Sequence, residues 1–155
     1  MQTSRQLRLL VLTVHIGASV GSLGAVCAFL VLAIAGFGAT DLVLMQSAYL
    51  SMERIAWVVV LPTISIALAS GLAESLVTRY GLFREKWTVA KLVLTTVALV
   101  VMVAKMPLVD EAARLAGQGA QTPQLRFAGL QLLVHSTAGL AVLLAALVLS
   151  IYKPR

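Results

Sequence analysis

Charge is scarce in this chain, and cysteine is nearly absent. Only 12% of its 155 residues are Asp, Glu, Lys or Arg, whereas 60% are hydrophobic. Soluble domains carry about 25% charged residues, so a chain this poor in charge cannot surround itself with a solvated surface. The single cysteine, Cys27, excludes an internal disulfide framework and any zinc or iron–sulfur site built from clustered cysteines. There is no glycine-rich phosphate loop, no Ser-His-acid set suited to an aqueous pocket, and no pair of carboxylates placed for hydrolysis. Internal repeats and low-complexity stretches are missing too.

What is present is length of apolar sequence. The mean hydropathy is +0.97, and four runs are each long enough for the roughly 20 residues that cross a bilayer. They cover about 9–37, 49–77 (interrupted by Pro62), 87–109 and 127–152. None alternates with period two, and each is too long for a strand. Backbone polar groups in lipid must be satisfied within the segment, which makes helix the expectation. The first run is too long for a cleavable signal peptide and is expected to persist as a span. The stretch DEAARLAGQGAQTPQ (110–124) carries Gly, Gln and Pro and reads as an external loop with at most one helical turn. The expected fold is therefore a single all-α membrane domain over 1–155, with four transmembrane helices in an antiparallel bundle.

The net charge of +6 is distributed by side. Arg5 and Arg8 precede span one, Arg79, Arg84 and Lys86 lie between spans two and three, and Lys153 and Arg155 follow span four. The opposite connections hold Asp41, Asp110 and Glu111 against few cations. The positive-inside rule places both termini and the 78–86 loop in the cytoplasm. The basic residues are thus inner-face anchors, and no nucleic-acid partner is expected.

Orientation sets depth, at about 1.5 Å per helical residue. His15 in span one and Lys91 in span three fall at a similar level in the inner half, His135 falls in the outer half of span four, and Glu74 approaches the inner boundary. Each has a plain structural role open to it. Lys91 can snorkel to the interface, and His15 can hydrogen-bond a neighbouring helix. A carboxylate at the boundary can simply be solvated. Gly17, Gly21 and Gly24 follow His15 among other small residues. That pattern suits close helix contact, and it equally suits a slot for a flat cofactor, since a bis-axial b-type haem needs ligands on facing helices with small neighbours.

Several stretches resemble the HemJ-type bacterial protoporphyrinogen IX oxidases. LTVHIGASVGSLGAVCAF (12–29) is similar to the first span of that family. YLSMERIAWVVVLPTISIALASGL (49–72) resembles its second, with Met52-Glu53-Arg54, Pro62 and a closing Gly71-Leu72. WTVAKLVLTT (87–96) resembles the third, and YKPR (152–155) the ending. A broader resemblance to CopD-like copper-resistance membrane proteins fits the same marks. The HemJ resemblance implies a multi-pass protein of the bacterial inner membrane with b-type haem between helices one and three. It makes His15 and Lys91 the iron ligands, with Gly17, Gly21, Met52 and Arg54 beside the cofactor and a porphyrinogen or a quinone as redox partner. The lysine would bind as the neutral amine, the form an apolar slot favours. Ser22 stands where the family carries an aromatic residue, and His135 is an additional histidine, the alternative ligand.

Two other functions stay open. Met45, Met52, Met102 and Met106 lie toward the outer ends of spans two and three, and thioethers with an imidazole such as His135 suit Cu(I). This would be the CopD-like alternative, copper binding or transport. The third is a non-catalytic accessory subunit in which His15 and Lys91 only join helices. A homodimer that buries the Gly-rich faces is compatible with all three. The topology is directly testable. Reporter fusions after residue 82 and at the C-terminus should read cytoplasmic, and those near 41 and 117 periplasmic; a cytoplasmic signal at 117 would refute the orientation.

Overall fold

A computed structural model of the chain describes residues 5–77, 86–119 and 121–152, and the residues described are helical apart from short turns. The helices are α1 (Arg5–Gly38), α2 (Leu42–Ile55), α3 (Leu61–Val77), α4 (Lys86–Gly117) and α5 (Pro123–Ile151), with a π-helical turn, Ala56–Val60, joining α2 to α3. Because that turn keeps the backbone helical, the chain forms four rods. All four are long and apolar enough to cross a membrane. Their outward faces are apolar: Leu10, Val20, Val31, Val58 and Phe127 are all at least 60% exposed. Surfaces of this kind do not face water, and the protein is a multi-pass membrane protein. Arg79, Arg84, Lys153 and Arg155, on which the expected orientation largely rests, lie outside the described residues.

The π turn has a local cause. Pro62 has no N–H to donate, and its ring would strike the carbonyl of Val58 in a regular helix. One residue before the proline, the Leu61 N–H reaches back five residues to the carbonyl of Ala56, and the widened turn absorbs the conflict without breaking the rod. The second rod therefore runs on through the position where the sequence suggested an interruption.

The ends are capped by short side chains. Asp41 is the N-cap of α2 and accepts the Leu44 N–H at 2.8 Å. Thr122 caps α5, accepting the Leu125 N–H at 3.1 Å, with Pro123 in the first helical position, where a missing N–H costs nothing. Gly119, at φ 74°, takes the left-handed conformation that follows α4. The Gln121 side chain donates to the Ala39 carbonyl at 2.6 Å, so the α1–α2 and α4–α5 turns share one end of the molecule, the turn end.

Helix α4 passes through much of the segment read from sequence as a loop. Val109, Ala112, Ala113 and Ala116 are buried, a helical spacing of small apolar residues that gives those two turns a packing face. Asp110, Glu111 and Arg114 lie between them. Asp110 accepts the Trp57 Nε1–H at 2.8 Å, and Arg114 holds Glu111 through two hydrogen bonds of 2.7 and 2.6 Å.

Around the bundle, α1 packs on α2/α3 and on α5, and α4 packs on the same two neighbours, so α1 and α4 stand diagonally. The main core lies toward the turn end and includes Phe29, Met45, Tyr49, Met52, Met106, Val109 and Leu132. A second cluster (Ala25, Val26, Val60, Ile64, Leu143) continues it. Tyr49, 2% exposed, lies between two glycines: a methyl group on Gly36 would stand 3.1 Å from its ring, and one on Gly129 would overlap its hydroxyl. Gly129→Ala should therefore lower stability by about 1–3 kcal/mol, the usual cost of overpacking. Tyr49→Phe should restore part of the loss, because the hydroxyl is the overlapping atom. Thermal unfolding in detergent of the two single variants and the double variant measures that coupling, and strict additivity would refute the wedge.

Candidate functional site

His15 is half-buried on α1 and turned toward α3. Its Nδ1 lies 3.0 Å from the Ala67 carbonyl oxygen and 3.3 Å from Ser70 Oγ. A carbonyl can only accept, so the proton sits on Nδ1. Ser70 agrees with this assignment: its hydroxyl donates within α3, to Ile66 at 2.5 Å, and the oxygen is left to accept. With the proton on Nδ1, the other ring nitrogen, Nε2, meets no hydrogen-bond partner among the described residues. Nor is any side-chain nitrogen or oxygen sealed in without a partner among those residues, so Nε2 opens onto space.

Gly71 explains how the ring fits. A methyl group there would come within 2.9 Å of His15 Cε1 and 3.2 Å of Nδ1. The glycine at the end of the second-span motif is thus the seat of the first-span histidine. Sequence reading marked both residues and did not join them, because nothing in a linear pattern reports which helix faces which. Ala67 and Ser70, the residues that hold the ring, gave no signal; the i, i+3, i+4 spacing of Ala67, Ser70 and Gly71, all small, was the one available clue.

Lys91 sits near the start of α4, half-buried, with its Nζ 4.7 Å from the centre of the Trp87 ring one turn earlier. The ammonium therefore has a cation–π partner on its own helix. His15 and Lys91 project from diagonal helices that both pack on α3. The small residues after His15 divide between faces. Gly21 faces Thr63, 3.6 Å from where its Cβ would lie, whereas Gly17 and Gly24 are exposed with nothing within 4 Å. Met52 is fully buried in the main core and Arg54 is exposed. Glu74 is half-buried, one turn beyond Ser70.

At the other level, His135 is half-buried and its Nδ1 lies 2.6 Å from the Gln131 carbonyl of its own helix. Met45, Met52 and Met106 are buried in the same core cluster, with Met102 packed against it. No group of three His, Cys, Asp or Glu residues gathers among the described residues.

Comparison with known proteins leaves the site to speak for itself: no family model, no curated protein and no solved structure matches the chain.

The seat of His15 makes a specific prediction. Gly71→Ala should drive the imidazole off α3, and Gly71→Ser should do so more strongly. In ¹⁵N spectra of labelled protein, the wild-type ring should show the Nδ1–H tautomer, and the Ala variant should lose it. A wild-type ring in the Nε2–H form would refute the hydrogen bond to Ala67.

Proposed function

We propose that the protein is a haem b-binding membrane protein with a redox role, in which His15 is an axial ligand through Nε2 and Lys91 is the opposite ligand. The observation that carries this reading is the anchoring of Nδ1 on the Ala67 carbonyl. Metal-binding histidines commonly donate their other ring N–H to a carbonyl or carboxylate, which sets the tautomer and aims the lone pair. The same contact joins two helices, so His15 serves as an interhelical tie whether or not it also binds iron.

The donor set fits the group in part. An imidazole with one nitrogen anchored and the other open suits an axial position. Lys91 would have to leave the Trp87 ring and bind as the neutral amine, which makes it the weaker half of the assignment. His135 remains the rival, with its own Nδ1 engaged and its Nε2 available in the same manner. When bound, the haem would supply one-electron chemistry; the chain would hold it, exclude water and present it to a partner. Porphyrinogen oxidation of the HemJ kind and a quinone partner belong to this proposal as its chemical extension, and so do the bacterial inner membrane and a homodimer.

A second reading has its own observation: the methionines converge at the turn end, and thioethers favour Cu(I). Methionine is also ordinary core filler, so the cluster needs a metal measurement to become a site.

One experiment separates these readings. Protein purified mildly from haem-sufficient cells should show a b-type reduced-minus-oxidised spectrum. His15→Ala should remove the bound haem while the four helices still insert. Lys91→Met should retain haem and shift the spectrum, and Lys91→Ala should weaken retention. Haem loss in His135→Ala with retention in Lys91→Ala would reassign the second ligand. Colourless wild-type protein would leave an interhelical tie in an accessory subunit, unless metal analysis after Cu(I) loading found copper that the Met52→Leu, His135→Ala double variant lost.

A further inference from the structure

The turn end contains a cavity of about 300 Å³ bounded by the last turn of α1 and the first turns of α2 and α5. That volume lies at the small end of the range for ligand pockets. Phe37, Met45 and Leu125 give it apolar walls, and Gln121, bonded to the Ala39 carbonyl at 2.6 Å, closes one side.

Two polar groups there make no hydrogen bond or ion pair among the described residues. Tyr49 lines the cavity and is 2% exposed, and its hydroxyl makes no hydrogen bond among the described residues. Leaving a buried hydroxyl unpaired is costly. The hydroxyl is also absent from the atoms sealed without a partner, so it reaches open space, and Tyr49 is among the residues that line this cavity. Arg126, also on the wall, lies with its guanidinium carbon 5.8 Å from the centre of the Phe37 ring. It pairs with no carboxylate among the described residues. A guanidinium set against an aromatic ring keeps its N–H edges available for a planar oxyanion. The N-terminus of α5, capped only by the neutral Thr122, adds a positive dipole end, whereas that of α2 is already met by the Asp41 carboxylate.

We infer that this cavity binds a small carboxylate with a flat apolar body, its oxygens held by Arg126 and by the Tyr49 hydroxyl. Phe37, Met45 and Leu125 take the apolar body. The site uses none of the residues assigned to haem and stands or falls separately from that reading.

The test is a titration of the full chain in phosphatidylcholine nanodiscs with benzoate, followed by ligand-observed NMR, with benzamide as the neutral counterpart. Benzoate should bind saturably and benzamide at least tenfold more weakly. Arg126→Gln should weaken benzoate at least tenfold, in line with the loss of a charge-assisted hydrogen bond. Tyr49→Phe, which keeps the ring between its two glycines, should weaken it several-fold. Arg114→Gln, which removes a surface arginine already paired with Glu111, should leave it unchanged. No saturable binding, or equal binding by Arg126→Gln, would make this a water-filled gap and overturn the proposal. Displacement of benzoate by equimolar soluble glycerol phosphate, itself abolished in Arg126→Gln, would assign the cavity to a phosphate headgroup and overturn the carboxylate assignment.

Discussion

Polar groups inside the membrane-spanning stretches have to find their partners without help from water, and that constraint governs the rest. The backbone solves it by staying helical through a proline, at the cost of one π turn. The hydroxyls solve it locally: Thr13, Ser22, Thr63, Ser65, Ser70, Thr95, Ser136, Thr137 and Ser150 each donate to a carbonyl three or four residues earlier. Hydroxyls turned back on their own helix use their proton there, and of these only Ser70, among the described residues, also meets a neighbouring helix, as an acceptor beside His15. Among the described residues, side-chain hydrogen bonds between rods come down to His15 on α3, Trp57 on Asp110 and Gln121 on Ala39. The last two serve the turn-end half, and His15 ties α1 to α3 in the other half.

Packing is divided the same way. Toward the turn end, alanines, methionines and glycines let the rods approach closely enough to bury Met45, Met52 and Val109 almost completely, and Tyr49 keys into two glycine gaps. Near His15, Ser70 is buried and Gly71 leaves a gap filled by an imidazole. Without hydrophobic pressure between helices in lipid, close contact and a few polar ties carry association. A histidine in that position is consequently structural before it is anything else, and removing it tests two roles at once. That is why spectral properties and insertion have to be read separately.

Much of this was legible beforehand. The four spans and their helical state follow from apolar length and from the bilayer's demand on the backbone, which act locally along the chain. The extension of α4 was missed because Asp110, Glu111 and Arg114 dominated the reading, although Val109, Ala112, Ala113 and Ala116 carried the helical spacing beneath them. Tyr49 passed as the beginning of a span, and its partners Gly36 and Gly129 are distant in sequence. The same holds for Gly71 beneath His15. Complementarity of a ring and a missing side chain is a property of the packed pair, and neither residue announces it alone.

The two proposed sites lie at opposite ends of the bundle and draw on opposite features of the same constraint. At His15 a polar group is satisfied through one nitrogen, and the tie to Ala67 frees the other for a ligand. At Tyr49 the satisfaction is incomplete, and a hydroxyl without a hydrogen bond among the described residues, on a residue that lines the same cavity as Arg126, is what suggests a ligand. Among the described residues most hydroxyls turn back onto their own helix, and polar groups that do otherwise are the economical places to look for function.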